Sequence, residues 1–243
     1  MASTTETGHA KNIANFQTLI EFLMGYGSSY NPSKTSLQLP AIIALKDSAE
    51  IALADVLSKN TIYNGKVSER QEAFSGIKTM ATRFINAIQA SNASEGSIKE
   101  AKFHNRRLQG KRASAPKTPV DPGKTAPVTI SASQQSYDQL IQHLSGLKMV
   151  LENEPNYQPN EPELLVDTLA STITDLQNKN LEVIRAYANV NNARITRNKL
   201  LYGDEIGICE IASDIKKYIK AIFGATSPEF AQIKGIEFSK IKN

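Results

Sequence analysis

The chain has 243 residues, 40% hydrophobic and 7% aromatic, with no Trp, one Cys and a formal net charge of +4. A single cysteine excludes an internal disulfide framework. The longest apolar run, residues 41–45, is far short of the roughly 20 residues of a membrane span. The lean aromatic content, with prolines mostly outside the periodic stretches, favours helical bundles over a β-sandwich. The start, MASTTETGHAKN, has no apolar core behind a basic end, so a soluble, cytoplasmic protein without membrane partners is expected.

Ile13, Phe16, Ile20 and Leu23 fall on one helical face, which stops near Gly25 and Gly27. A turn at Tyr30-Asn31-Pro32-Ser33 follows. Ile42, Leu45, Ala49, Ala52 and Val56 predict a second helix over residues 37–60, with a break near Asn64-Gly65. Phe74, Ile77, Ala81, Phe84 and Ile88 predict a third, and residues 97–112 a short basic fourth. Residues 113–131 hold Pro116, Pro119, Pro122 and Pro127 and read as an extended, solvated linker. Beyond it Tyr137, Ile141, Leu144 and Leu151 share a face, and Tyr157-Gln158-Pro159-Asn160 makes a turn. A long helix then carries Leu165, Leu169, Thr172, Leu176 and Ile184, with Asn160 as its N-cap. Ile208, Ala212, Ile215, Ile219 and Ile222 form the next, and residues 227–243 a short tail.

The two halves resemble each other. Leu19, Ile20 and Leu23 match Leu140, Ile141 and Leu144 at an offset of 121. Tyr30, Pro32 and Leu37 match Tyr157, Pro159 and Leu164 at 127, as do Asn64 and Arg70 with Asn191 and Arg197. Ile85, Ala87 and Ile88 match Ile219, Ala221 and Ile222 at 134. The Tyr-x-Pro turn carries the most weight, because helical patterning does not generate it. The fold expected is all-α: two related modules of long antiparallel helices, 1–112 and 132–243, joined by the proline-rich linker 113–131.

Charge is local. Residues 99–124 hold eight basic residues against two acidic, a net of +6; residues 149–178 hold six acidic residues and no Lys or Arg. Lys102, Arg106, Arg107, Lys111 and Arg112 form a basic patch; Glu152, Glu154, Glu161, Glu163 and Asp167 form an acidic stretch. The balance predicts that the arginines pair with carboxylates rather than phosphates, orienting modules or subunits more than holding them.

Catalytic signatures are sparse. No Gly-x-Ser-x-Gly or phosphate-cradling glycine loop occurs. Ser-x-x-Lys recurs at Ser75–Lys78, Ser145–Lys148 and Ser213–Lys216, as chance spacing of common residues would give. His9, His104 and His143 are far apart in sequence and suggest no metal, and Cys209 reads as a small buried hydrophobe. No catalytic residue, metal or cofactor is expected. The reading is a non-enzymatic helical structural or protein-interaction protein, with a protein partner or itself as a homo-oligomer. The alternatives are a nucleic-acid accessory protein using residues 99–124 and an enzyme with a site between the modules.

Overall fold

A computed structural model describes residues 4–110 and 135–239; Lys111, Arg112 and the whole linker 113–131 lie outside the described residues. The chain is all-helical, with no strand among the described residues. The helices are α1 (Thr4–Gly25), α2 (Leu39–Ser75), α3 (Ile77–Ala90), α4 (Glu95–Leu108), α5 (Tyr137–Glu152), α6 (Val166–Tyr202), α7 (Ile208–Phe223) and α8 (Pro228–Lys234). Short 3-10 turns at Thr35–Leu37 and Pro162–Leu164 precede the two longest helices, α2 and α6, each of 37 residues. No described helix is long and apolar enough to cross a membrane.

Helix starts are written in the sequence. Ser94, Ser136 and Ser227 each accept a hydrogen bond from the backbone N–H three residues on, satisfying one of the free donors at the start of α4, α5 and α8. Pro228 adds a preset φ in the first turn of α8. Gly76 and Gly207 are the residues just before α3 and α7. A Cβ at Gly207 would lie 2.6 Å from the Gly203 nitrogen, so that junction requires glycine.

Four expectations change. The helix α2 does not break at Asn64-Gly65 but continues to Ser75, since one interior glycine costs only about 1 kcal/mol and the flanking turns keep their packing. Asn160 is not an N-cap, because the 3-10 turn intervenes before α6 begins at Val166. The tail contains a helix, α8, started by Ser227 and Pro228. Ile222 does not share the burial of Ile219: it is 41% exposed, one residue from the end of α7.

The chain forms two compact units, and neither follows the division into 1–112 and 132–243. Unit 1 is residues 1–63 with 186–243, and unit 2 is residues 64–185. The physical reason is length. A 37-residue helix is about 55 Å long, whereas helices of 14–16 residues are about 22 Å, so one set of short partners covers only part of it. In unit 1, Phe16, Leu19, Ile20 and Leu23 of α1 pack with Leu201, Ile208, Ile215, Ile219 and Ile233. In unit 2, Phe84 and Ile88 of α3 and Leu108 of α4 pack with Leu144, Leu147, Leu151, Leu169 and Leu176.

Both long helices are reached by the same local device. The Tyr30 hydroxyl donates to the Leu37 carbonyl at 2.5 Å, and the Tyr157 hydroxyl to the Leu164 carbonyl at 2.8 Å. Each tyrosine is buried, and each bond closes the loop that turns the chain into the long helix.

Candidate functional site

The basic segment lies on α4. Ala101 and Leu108 are buried and fix the helix to unit 2, leaving Lys102, Phe103 and Arg106 exposed on the other side. Arg106 and Arg107 occupy the last turn, where the helix dipole favours cations. Both guanidinium carbons sit over the Phe103 ring, 5.6 Å and 5.3 Å from its centroid. Among the described residues of this chain neither arginine pairs with a carboxylate, and Lys111 and Arg112 lie outside them.

The acidic stretch is consumed locally instead. Glu152 pairs with Lys148 one turn back, at 2.7 Å, and Glu163 pairs with Arg83 of α3. Glu154 turns inward and accepts from the backbone N–H groups of Ser94 and Asn156, each at 3.2 Å. The Ser97 hydroxyl and those two N–H groups hold its carboxyl below the usual carboxylate range. Glu161 lies near Tyr157, and Asp167 occupies the first turn of α6, where the dipole favours an anion. The five carboxylates thus do not form one surface. Lys148, Arg83 and the Ser94 N–H group take three of them within unit 2, the unit that also carries Arg106 and Arg107.

His104 and His143, far apart in sequence, meet between α4 and α5 with ring centroids 6.1 Å apart. Gly146 makes room: a Cβ there would lie 2.2 Å from His104 Cε1. Burial pushes both imidazoles below the usual histidine value; for His143 the neighbouring His104 and Arg107 add to the effect.

A third cluster escaped sequence reasoning. In unit 1, His9 and Asn12 are fully buried on α1, one turn apart. His9 Nδ1 lies 2.6 Å from the Tyr202 hydroxyl. Asn12 Nδ2 lies 3.3 Å from the same hydroxyl and 3.7 Å from Cys209 Sγ. Asn12 also bonds the backbone of Ser239, donating to its carbonyl at 2.8 Å and accepting from its N–H at 3.0 Å. The available signal was the placement of His9 and Asn12 in register with Ile13 and Phe16, polar residues on an apolar face. A cavity of about 390 Å³ borders this cluster, lined by Cys209, Ser213, Lys216 and residues 236–239. Among the described residues no three His, Cys, Asp or Glu side chains converge as metal ligands would.

The long helices also leave large apolar side chains in solvent. On α2, Ile51 is 71% exposed and Leu57 is 70% exposed, with Ile62 exposed beyond them. On α6, Leu181, Tyr187 and Ile195 are exposed, and Ile184 is 56% exposed. Comparison of the chain with protein-family models, with curated proteins and with solved structures returns no match.

Proposed function

We propose that this is a non-enzymatic helical protein that works by binding protein, a second copy of itself included, through its two long helices, and that those helices are duplicates. The observation that carries the reading is the exposure of Leu57 and Ile184. They sit 127 residues apart, at the same distance from the start of α2 and α6, and are 70% and 56% exposed, within a run of exposed apolar side chains on each helix. Duplication is supported at the same offset by the two 37-residue helices, the two 3-10 turns and the two tyrosine hydrogen bonds. Ile42, Ala49 and Val56 are buried on α2, as are their counterparts Leu169, Leu176 and Val183 on α6.

The test is solution mass by light scattering across concentration, for the wild-type chain and for Leu57→Glu with Ile184→Glu. Both positions are exposed, so helical content should not change. The wild-type mass should rise with concentration and that of the double variant should not. A wild-type chain that stays monomeric throughout sinks the self-assembly reading, and retention of partners by the double variant sinks the role of these two positions.

A second reading rests on Arg106 and Arg107, which lie over an exposed phenylalanine with no carboxylate partner among the described residues. Such a surface suits phosphates of nucleic acid. Binding to a DNA or RNA oligomer that weakens steeply with added salt, and is lost in Arg106→Glu with Arg107→Glu, would support it. Absence of salt-sensitive binding would remove it.

A further inference from the structure

We infer that the cleft between α1 and α7 in unit 1 is a receptor for an extended peptide, filled here by the chain's own residues 236–239 and able to take the same segment from a second copy. The segment is non-helical and follows α8 through Gly235. It is held mainly through its backbone. Asn12 grips Ser239 from both sides, as an amide grips a peptide group, and Asn15 Nδ2 donates to the Glu237 carbonyl at 2.7 Å. Glu237 and Ser239 are two residues apart and both face α1, the alternation of an extended strand. From α7, Lys216 Nζ donates to the Ile236 carbonyl and, at 3.3 Å, to that of Lys234.

Side-chain contacts fall on Ile236 and Phe238, both packed against the core of unit 1. The Phe238 ring meets Phe16 edge-on, centroids 6.3 Å apart, and lies under the Lys216 ammonium at 5.8 Å. Asn12 is the decisive group. A buried amide needs partners, and it finds two of them on the segment that follows α8. Backbone bonds together with one aliphatic and one aromatic anchor make a peptide-reading mode that does not depend on whether the peptide belongs to the same chain. Exchange of such an element between copies is a low-cost route to assembly. Lys216 acts here as a clasp for carbonyls.

The second-copy step rests on the self-assembly reading; the receptor itself does not. The probe is a fluorescein-labelled peptide of residues 232–243, titrated by anisotropy against the full chain and against full-chain Phe238→Ala, whose own tail has lost its aromatic anchor. The peptide should bind Phe238→Ala saturably and about tenfold more tightly than the wild type, where the resident tail competes. Adding Asn12→Ala should weaken binding about tenfold, the loss of two hydrogen bonds. Asn15→Ala, at an exposed position, tests the same groove where Asn12→Ala fails to fold. No saturable binding by Phe238→Ala, or binding indifferent to the asparagines, overturns the receptor. Peptide binding with a wild-type mass unchanged by Phe238→Ala overturns the second-copy step. Loss of assembly in Leu57→Glu with peptide binding intact separates the fate of this proposal from that of the long-helix surface.

Discussion

Tyr30 and Tyr157, 127 residues apart, each donate a hydrogen bond to the carbonyl seven residues on, and each bond precedes a 37-residue helix. Phenylalanine at either position should cost about 1 kcal/mol, the net value of one hydrogen bond, and the two losses should be alike. Urea unfolding of Tyr30→Phe and Tyr157→Phe measures them. A large cost at one and none at the other would contradict the equivalence. Burial, with Glu161 adding, pushes Tyr157 up to about 12, and burial, with Tyr218 adding, raises Tyr30 further. A phenol raised in the folded state contributes stability in full below its unfolded value, about 10. That contribution is lost as pH climbs from there through the folded value. Stability should fall above about pH 10, and less in either phenylalanine variant.

Core truncations should separate Phe84 and Ile219 from Ile222. Phe84→Ala should cost about 3–5 kcal/mol and Ile219→Ala about 2–5 kcal/mol, because both side chains are fully buried. Ile222→Ala should stay within about 0.5 kcal/mol. Chemical denaturation gives all three. A cost at Ile222 matching that at Ile219 would show that the outer face of α7 is covered in solution.

The pair His104 and His143 should make unit 2 acid-sensitive before its carboxylates titrate. Both folded values lie below the ordinary histidine value of about 6.5. The folded state therefore binds fewer protons than the unfolded state in that window. Stability is full above about pH 6.5 and falls as pH drops toward the folded values. Arg107 strengthens the effect at His143, and Glu100 opposes it at His104. Thermal unfolding between about pH 7.5 and pH 5.5 should show the loss, reduced in His104→Gln. Glu154, held low, adds its own loss only below the ordinary carboxylate range. Equal pH slopes for the wild type and His104→Gln would count against the histidines.

Gly146 should tolerate no side chain while His104 keeps its place. Gly146→Ala should cost about 1–3 kcal/mol through overpacking. In combination with His104→Ala, the added cost of the alanine at 146 should largely vanish, a coupling that a double-mutant cycle reads directly. Strict additivity would mean that the ring moves aside freely.

The sequence disclosed the helices wherever apolar spacing was regular, as on α1, α3, α5 and α7, and the tyrosine turns because Tyr-x-Pro is not a helical pattern. Glycine misled at Asn64-Gly65, where packing outweighs a propensity of about 1 kcal/mol. Charge misled more deeply. A net of +6 and a net of −6 suggested a pair of surfaces, but charge totals carry no geometry. Lys148 reaches Glu152 because they are one helical turn apart, and Glu154 is drawn to the free N–H groups where α4 starts. The polar cluster around Asn12 joins residues about 190–230 apart in sequence, a separation that no local pattern encodes.

Unit 1 joins residues 1–63 to residues 186–243, and this sets an order of events on the ribosome. At elongation rates of about 5–20 residues per second, α1 and the start of α2 wait on the order of ten seconds for Ile208, Ile215 and Ile219 to emerge. During that interval Phe16, Leu19 and Leu23 have none of their final partners from α7. Unit 2, whose residues 64–185 are contiguous, can close first. The nascent chain therefore carries an uncovered apolar helix until α7 has been made. That helix is the segment on which a chaperone would act, or through which two nascent chains would find each other.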